Sequence, residues 1–180
     1  MHRAPAHYAD AWGTDRTRQN AAYTALMEAT SEPVPWADDV WDDLVGHLRD
    51  ADNHNRAIAA QLLCNLAAHH PSERILHDLD ALVVVSKDDR FVTARHALRS
   101  LWKIGLAGEN QRRAVVAALD RRYREASDEK NGTLVRNDIV EGLRHLYDAA
   151  GDPVVERTAR ELIDAETDPK YQRKYRRHWR

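Results

Sequence analysis

Apolar side chains return at the same three offsets, three, seven and ten, after four anchors along this chain, and that recurrence restricts its fold more than any other feature. The anchors are Gln19, Arg56, Ala94 and Arg136, separated by 37, 38 and 42 residues. Counting on from them gives Ala22, Leu26 and Ala29; Ala59, Leu63 and Leu66; Ala97, Leu101 and Ile104; and Ile139, Leu143 and Leu146. Such offsets lie on one face of an α-helix. A short polar or acidic stretch opens each segment, beginning at Asp15, Asp52, Asp89 and Asn131. A looser fifth copy follows Asp168-Pro169, with Tyr175 and Trp179 three and seven beyond Gln172.

Other stripes at helical spacing fill the intervals. They are Trp41, Leu44, Val45 and Leu48; Ile75, Leu79, Leu82 and Val83; Val116, Leu119 and Tyr123; and Val155, Ala159, Leu162 and Ile163. Gly151-Asp152-Pro153 puts a C′ glycine, an N-cap and an N1 proline in a row, Asp168-Pro169 repeats the last two, and Pro71-Ser72-Glu73 opens another helix. No run alternates with period two, so strands are not expected. The expectation is an all-α chain of roughly nine helices, an α-solenoid of four to five helix pairs with a period near 38. Residues 1–180 form a single domain in this reading, with 1–13 a poorly ordered N-terminal arm and 168–180 a basic capping helix.

From about residue 14 the chain resembles the HEAT-repeat (armadillo-like) family, on Asp52…Arg56…Ala59-Ala60…Leu63 and Val135-Arg136…Ile139…Leu143. The resemblance implies a ladder of Asp and Arg between neighbouring repeats, with Asp15, Asp52 and Asp89 as rungs alongside Arg56 and Arg136. Ala94 takes the arginine position in the third copy and Arg95 stands one place on, so the ladder is imperfect there. It implies architecture rather than a particular biochemistry.

Composition narrows the function classes. Hydrophobic residues at 43% and charged residues at 31% are an ordinary globular balance, against wholesale disorder. The apolar run Ala81 to Val85, like every other in the sequence, is too short to span a membrane, and no secretory h-region follows Met1. A single cysteine, Cys64, excludes an internal disulfide and a multi-thiolate zinc site; it reads as a small buried hydrophobe in a cytoplasmic protein. Net charge is −2, yet Lys170, Arg173, Lys174, Arg176, Arg177 and Arg180 crowd the last eleven residues without an acid. The remainder carries 21 basic and 29 acidic residues, a poor match for a phosphate backbone.

Helical projection leaves a polar ridge beside the stripes, made of His54, Gln61 and Asn65, then His96, Arg99 and Lys103, then Asp138, Glu141 and His145. Its character runs neutral, basic, acidic, which suits a protein partner of mixed charge better than a phosphate track. The terminal helix interleaves Tyr171, Tyr175 and Trp179 with the six basic residues, the pattern of a soluble cap or of a second, basic contact. Nothing specifies catalysis. His69-His70 with His77 and Asp78 lacks metal-ligand spacing, so no metal and no cofactor is expected. Asp38, Asp39, Asp42 and Asp43 occupy opening turns where carboxylates favour the helix dipole, and Gly105-Leu106-Ala107-Gly108 lacks the lysine of a phosphate loop. The sequence therefore points to a non-enzymatic interaction or scaffold module with an unidentified protein partner. The alternative is nucleic-acid binding, as in the HEAT-like alkylpurine DNA glycosylases, which use tryptophans, an aspartate and an arginine in a basic cleft. Their Trp-x-x-x-Asp arrangement is absent: Val40 follows Trp36 and Val45 follows Trp41 at that spacing.

Overall fold

A computed structural model describes residues 4–70 and 72–180; Met1 to Arg3 of the expected arm and Pro71 of the expected helix opening lie outside the described residues. Nine α-helices and four short 3-10 segments form the described residues, with no strand among them. The helices are α1 (Arg16–Ala29), α2 (Ala37–His47), α3 (Asn53–His69), α4 (Arg74–Val85), α5 (Phe91–Leu98), α6 (Glu109–Glu125), α7 (Gly132–Ala150), α8 (Pro153–Asp164) and α9 (Pro169–Arg176). Odd-numbered helices pack side by side as one layer, and α4, α6 and α8 pack likewise behind them. Four helix pairs with α9 as a terminal cap make an α-solenoid.

The starts of these helices follow from local chemistry. Asp15 accepts from the amides of Thr17 and Arg18, Asp52 from that of His54, Asp152 from that of Val154 and Asp168 from that of Lys170, each satisfying donors that the first turn leaves unpaired. Proline follows the last two caps at N1. Gly151 ends α7 at φ 64°, in the left-handed region where a Cβ is costly.

Every residue of the four inner stripes is buried except Ala29, and Tyr175 and Trp179 of the fifth copy are buried as well. Trp41, Leu44, Ile75, Leu82, Leu119, Tyr123, Val155 and Leu162 of the outer layer join them in one continuous core. The third inner helix departs from a plain helix. α5 stops at Leu98, and Leu101–Leu106 continues as a 3-10 segment. The Ser100 hydroxyl donates to the His96 carbonyl 3.0 Å away, a back-bond that bends a helix. Gly105 lets α7 approach, since a Cβ there would fall 2.8 Å from both Leu146 methyls.

A ladder does join the repeats, with corrected membership. Arg16 meets Asp52 at 2.7 Å, Arg56 meets Asp88 at 2.6 Å, Arg95 meets Asp138 at 2.6 Å and Arg136 meets Glu166 at 3.0 Å. Asp15 is a cap rather than a rung, and Asp88 takes the place expected of Asp89. Arg95 supplies the guanidinium that Ala94 lacks. Each arginine reaches toward a later acid, so the rungs all point the same way.

The N-terminal arm is also corrected over the described part. Ala6–Trp12 is a 3-10 segment packed against α1, with Ala11 fully buried and its carbonyl accepting from Gln19 Nε2 at 2.9 Å. Trp12 stacks on His47 with ring centroids 3.8 Å apart, and the Tyr8 hydroxyl donates to Asp43 at 2.8 Å. At the other end the Tyr175 hydroxyl donates to the Thr133 carbonyl at 3.0 Å, and Trp179 Nε1 donates to the Val140 carbonyl at 3.1 Å. Aromatic bodies shield the end of the core while their polar tips satisfy α7 carbonyls.

Candidate binding face

The layer of odd-numbered helices carries three hollows in a row. The first, about 360 Å³, lies across α1, α3 and α5 and is lined by Asn20, Tyr23, Ala57, Ile58, Val92 and His96 among others. The second, about 140 Å³, is formed by Arg99, Trp102, Asp138, Glu141, Gly142 and His145. The third, about 460 Å³, lies between α7 and α9 and is lined by Thr133, Leu134, Lys170, Tyr171, Lys174 and Arg177.

The ridge residues read from the sequence separate into two groups. His54, His96, Arg99 and His145 are exposed, while Lys103 and Glu141 are half-buried. Gln61, Asn65 and Asp138 are instead buried, contrary to their expected place on an open surface. Gln61 accepts from the Tyr23 hydroxyl at 2.9 Å and donates to the Ala57 carbonyl. Asn65 donates to Thr30 Oγ1 and accepts from Lys103 Nζ at 2.7 Å. Asp138, 2% exposed, takes Arg95 on both oxygens at 2.6 and 2.9 Å. Buried polar groups persist because they are paired; these three tie adjacent repeats together.

That pairing changes the charge of the face. The acid expected to make its third section negative is neutralised by Arg95, and Glu141 stands 3.7 Å from Arg99. Lys103, Lys170, Lys174 and Arg177 have no carboxylate within ion-pair distance among the described residues. Burial lowers the Lys103 ammonium below its ordinary value. Partial desolvation at the wall of the first hollow lowers His96 although its side chain reaches solvent, with Arg99 and Arg95 adding repulsion, and burial lowers His178, which faces Glu141, His145 and Lys174. The Nε2 of His178 is 3.1 Å from Asn137 Oδ1. The face runs from uncharged at α1 to basic at α9.

The terminal basic patch does not act as one surface. Lys170, Lys174 and Arg177 line the third hollow, whereas Arg176 and Arg180 line a different one with Arg160, Ile163, Asp164 and Trp179. Arg176 is 3.0 Å from Asp164, and Arg173 is exposed. Helical projection of α9 alone does not reveal which side meets α7.

Tyr23, Val92 and Trp102 were missed by the sequence reading. Val92 offered a signal, since it falls off the stripe of Ala94, Ala97 and Leu98 and is 68% exposed. Tryptophan is otherwise structural: Trp36, Trp41 and Trp179 are buried and Trp12 is stacked. Trp102 packs beside Gly142 and His145, and the aspartate of its hollow is held by Arg95, an arrangement that gives the glycosylase alternative no support. Cys64 is wholly buried, and burial pushes its thiol up to about 12. His70 lies 3.3 Å from Asp38, and no group of three His, Cys, Asp or Glu side chains is placed to hold a metal among the described residues. No described helix is long and apolar enough to cross a membrane.

No family model and no curated protein matches the sequence. Solved structures do match. An engineered protein aligns with a TM-score of 0.56 at 21% identity, over 96% of this chain and 76% of that one. A designed armadillo repeat protein in complex with the peptide (KR)4 aligns with a TM-score of 0.50 at 14% identity, over 96% of each chain. At such identities the likeness is one of fold, and that fold is the all-helical solenoid of the armadillo and HEAT-like kind.

Proposed function

We propose that this chain is a non-enzymatic interaction module that receives a partner protein along the face of α1, α3, α5, α7 and α9. The observation that carries the reading is the alignment of three hollows on one helix layer, with apolar and polar walls. The armadillo-like fold is typical of protein-binding scaffolds, and the designed armadillo neighbour holds a peptide. Ordered neighbouring repeats make a long, preformed surface, which keeps the entropic cost of association low.

The test pairs affinity capture on nuclease-treated extract with two blocking variants. Asn20→Arg with Val92→Arg obstructs the first hollow, and Val84→Arg places the same charge on exposed Val84 of the back layer. Loss of the captured protein with the double variant, and its retention with Val84→Arg, is the expected result. The opposite pattern moves the interface to the back layer and defeats the proposal.

A further inference from the structure

The charge gradient along the face identifies the chemistry of its occupant. We propose that the face binds an extended acidic peptide segment of a partner protein, with an apolar residue seated in the first hollow and carboxylates gathered over the third. This rests on the interaction-module reading above and adds the partner's composition and direction.

Three observations combine. Ile58, Ala57 and exposed Val92 give the first hollow an apolar floor, and its only titratable linings are histidine and tyrosine side chains. Burial of an apolar anchor is favourable there without a charge partner. Beyond it, Arg99 is the one lysine or arginine lining the second hollow, and Lys170, Lys174 and Arg177 line the third. The acid that would oppose an anionic ligand, Asp138, is already bound by Arg95 on both oxygens. Glu141 remains, with Arg99 beside it and His145 and His178 nearby. Lysine and arginine are therefore absent from the first hollow, balanced by acids in the second and in excess in the third.

That asymmetry separates an acidic peptide from a nucleic acid. A phosphate chain is uniformly charged and gains from cations along its whole length. Here the α1 end of the face offers Asn20, Tyr23 and Asn53 instead. Neighbouring helices stand roughly 10 Å apart and an extended chain advances about 3.3 Å per residue, so about three residues cross each helix. From α3 to α9 the segment is then about ten residues long, apolar at one end and acidic at the other.

The experiment uses the full chain and fluorescein-labelled probes in anisotropy titrations at low and moderate salt. One decapeptide carries a leucine near one end followed by aspartate and glutamate; others replace its acids by lysine or by serine. A single-stranded decanucleotide serves as the nucleic-acid probe. The acidic peptide is expected to bind at least about 10-fold more tightly than the lysine, serine and nucleotide probes, consistent with charge complementarity. Lys174→Glu with Arg177→Glu weakens it by about 10-fold or more, and Val92→Ser, which adds no charge, weakens it while leaving the salt dependence unchanged. Both variants alter exposed side chains, and unchanged thermal unfolding verifies their folding. Equal binding of the lysine or serine peptide, tighter binding of the nucleotide, or indifference to the Lys174/Arg177 reversal overturns the proposal. If any of these occurs while the Asn20/Val92 block still abolishes capture of the partner, the face stands and its acidic ligand does not. Loss of both removes the interaction-module reading too.

Discussion

At the scale of single residues, Asp88 shows how much a rung contributes. Its side chain is 7% exposed and receives Nε and Nη2 of Arg56 at 2.6 and 3.0 Å. Burial alone would raise this carboxyl, but the Arg56 hydrogen bonds and the Arg90 amide outweigh it and hold it below the ordinary carboxylate range. Asp88→Ala strands the guanidinium and is expected to cost about 3 kcal/mol in urea unfolding. Exposed Asp89 is outside the ladder, so Asp89→Ala stays within about 0.5 kcal/mol. Equal losses at the two positions would contradict the ladder as described. The carboxylate's contribution is complete above its unfolded value and is lost as pH falls through the lower folded one. His96 behaves differently in origin but alike in sign. Burial and the nearby Arg99 and Arg95 disfavour its cation, so folding favours the neutral ring. Its share of stability is present above about pH 6.5 and declines as acid protonates the unfolded chain first. In an NMR titration the His96 and His178 rings should both protonate below the ordinary imidazole value. Cys64 provides a separate check: a thiol held near 12 inside α3 should react with a disulfide reagent only through opening of the fold, at least about 100-fold more slowly than in denaturant.

At the scale of the helix, spacing revealed the elements and left some of their boundaries and partners hidden. Period-3.6 stripes located the inner and outer helices because every one of them has a buried side, and the caps at Asp152 and Asp168 announced two starts. The break after Leu98 was not legible, since Leu101 and Ile104 remain on the buried stripe through the change to 3-10 geometry. The ridge failed for a related reason. Projection reports that Asp138 is polar, but its partner Arg95 lies 43 residues away on another helix. Exposure there depends on a neighbour that a single helix does not encode. The close approach beneath α7 gives an element-level prediction. A Cβ at Gly132 would sit 1.9 Å from the Ala126 carbonyl oxygen, whereas one at Gly105 meets only the ends of side chains. Helix propensity favours alanine by about 1 kcal/mol, yet backbone collision must displace the start of α7. Gly132→Ala should therefore lower the unfolding midpoint more than Gly105→Ala; the reverse order would show that this helix start adjusts freely.

Across the whole molecule, local stacking governs stability more than any central nucleus. Each helix pair touches its neighbours, and α3 has an unbroken buried run from Ala57 to Ala67 between repeats on both sides. Amide exchange should consequently be slowest in α3 and faster in α1, covered on one side by only the short Ala6–Trp12 segment, and in the terminal cap α9. Uniform protection from α1 to α9 would instead indicate a single all-or-none unit. The one-way rungs add a constraint on how such a molecule can change length. Residues 52–88 contain the Asp52 cap, Arg56 and the Asp88 that receives it. Copied in tandem directly after Asp88, this block arrives with donor, acceptor and helix start already in phase, and the lengthened chain should still melt as a folded stack. An insert shorter or longer than one repeat moves the next acid away from its arginine and leaves a buried joint uncompensated. Lengthening by whole repeats is thus open to this architecture, and what the arginines fix is the length of the added block.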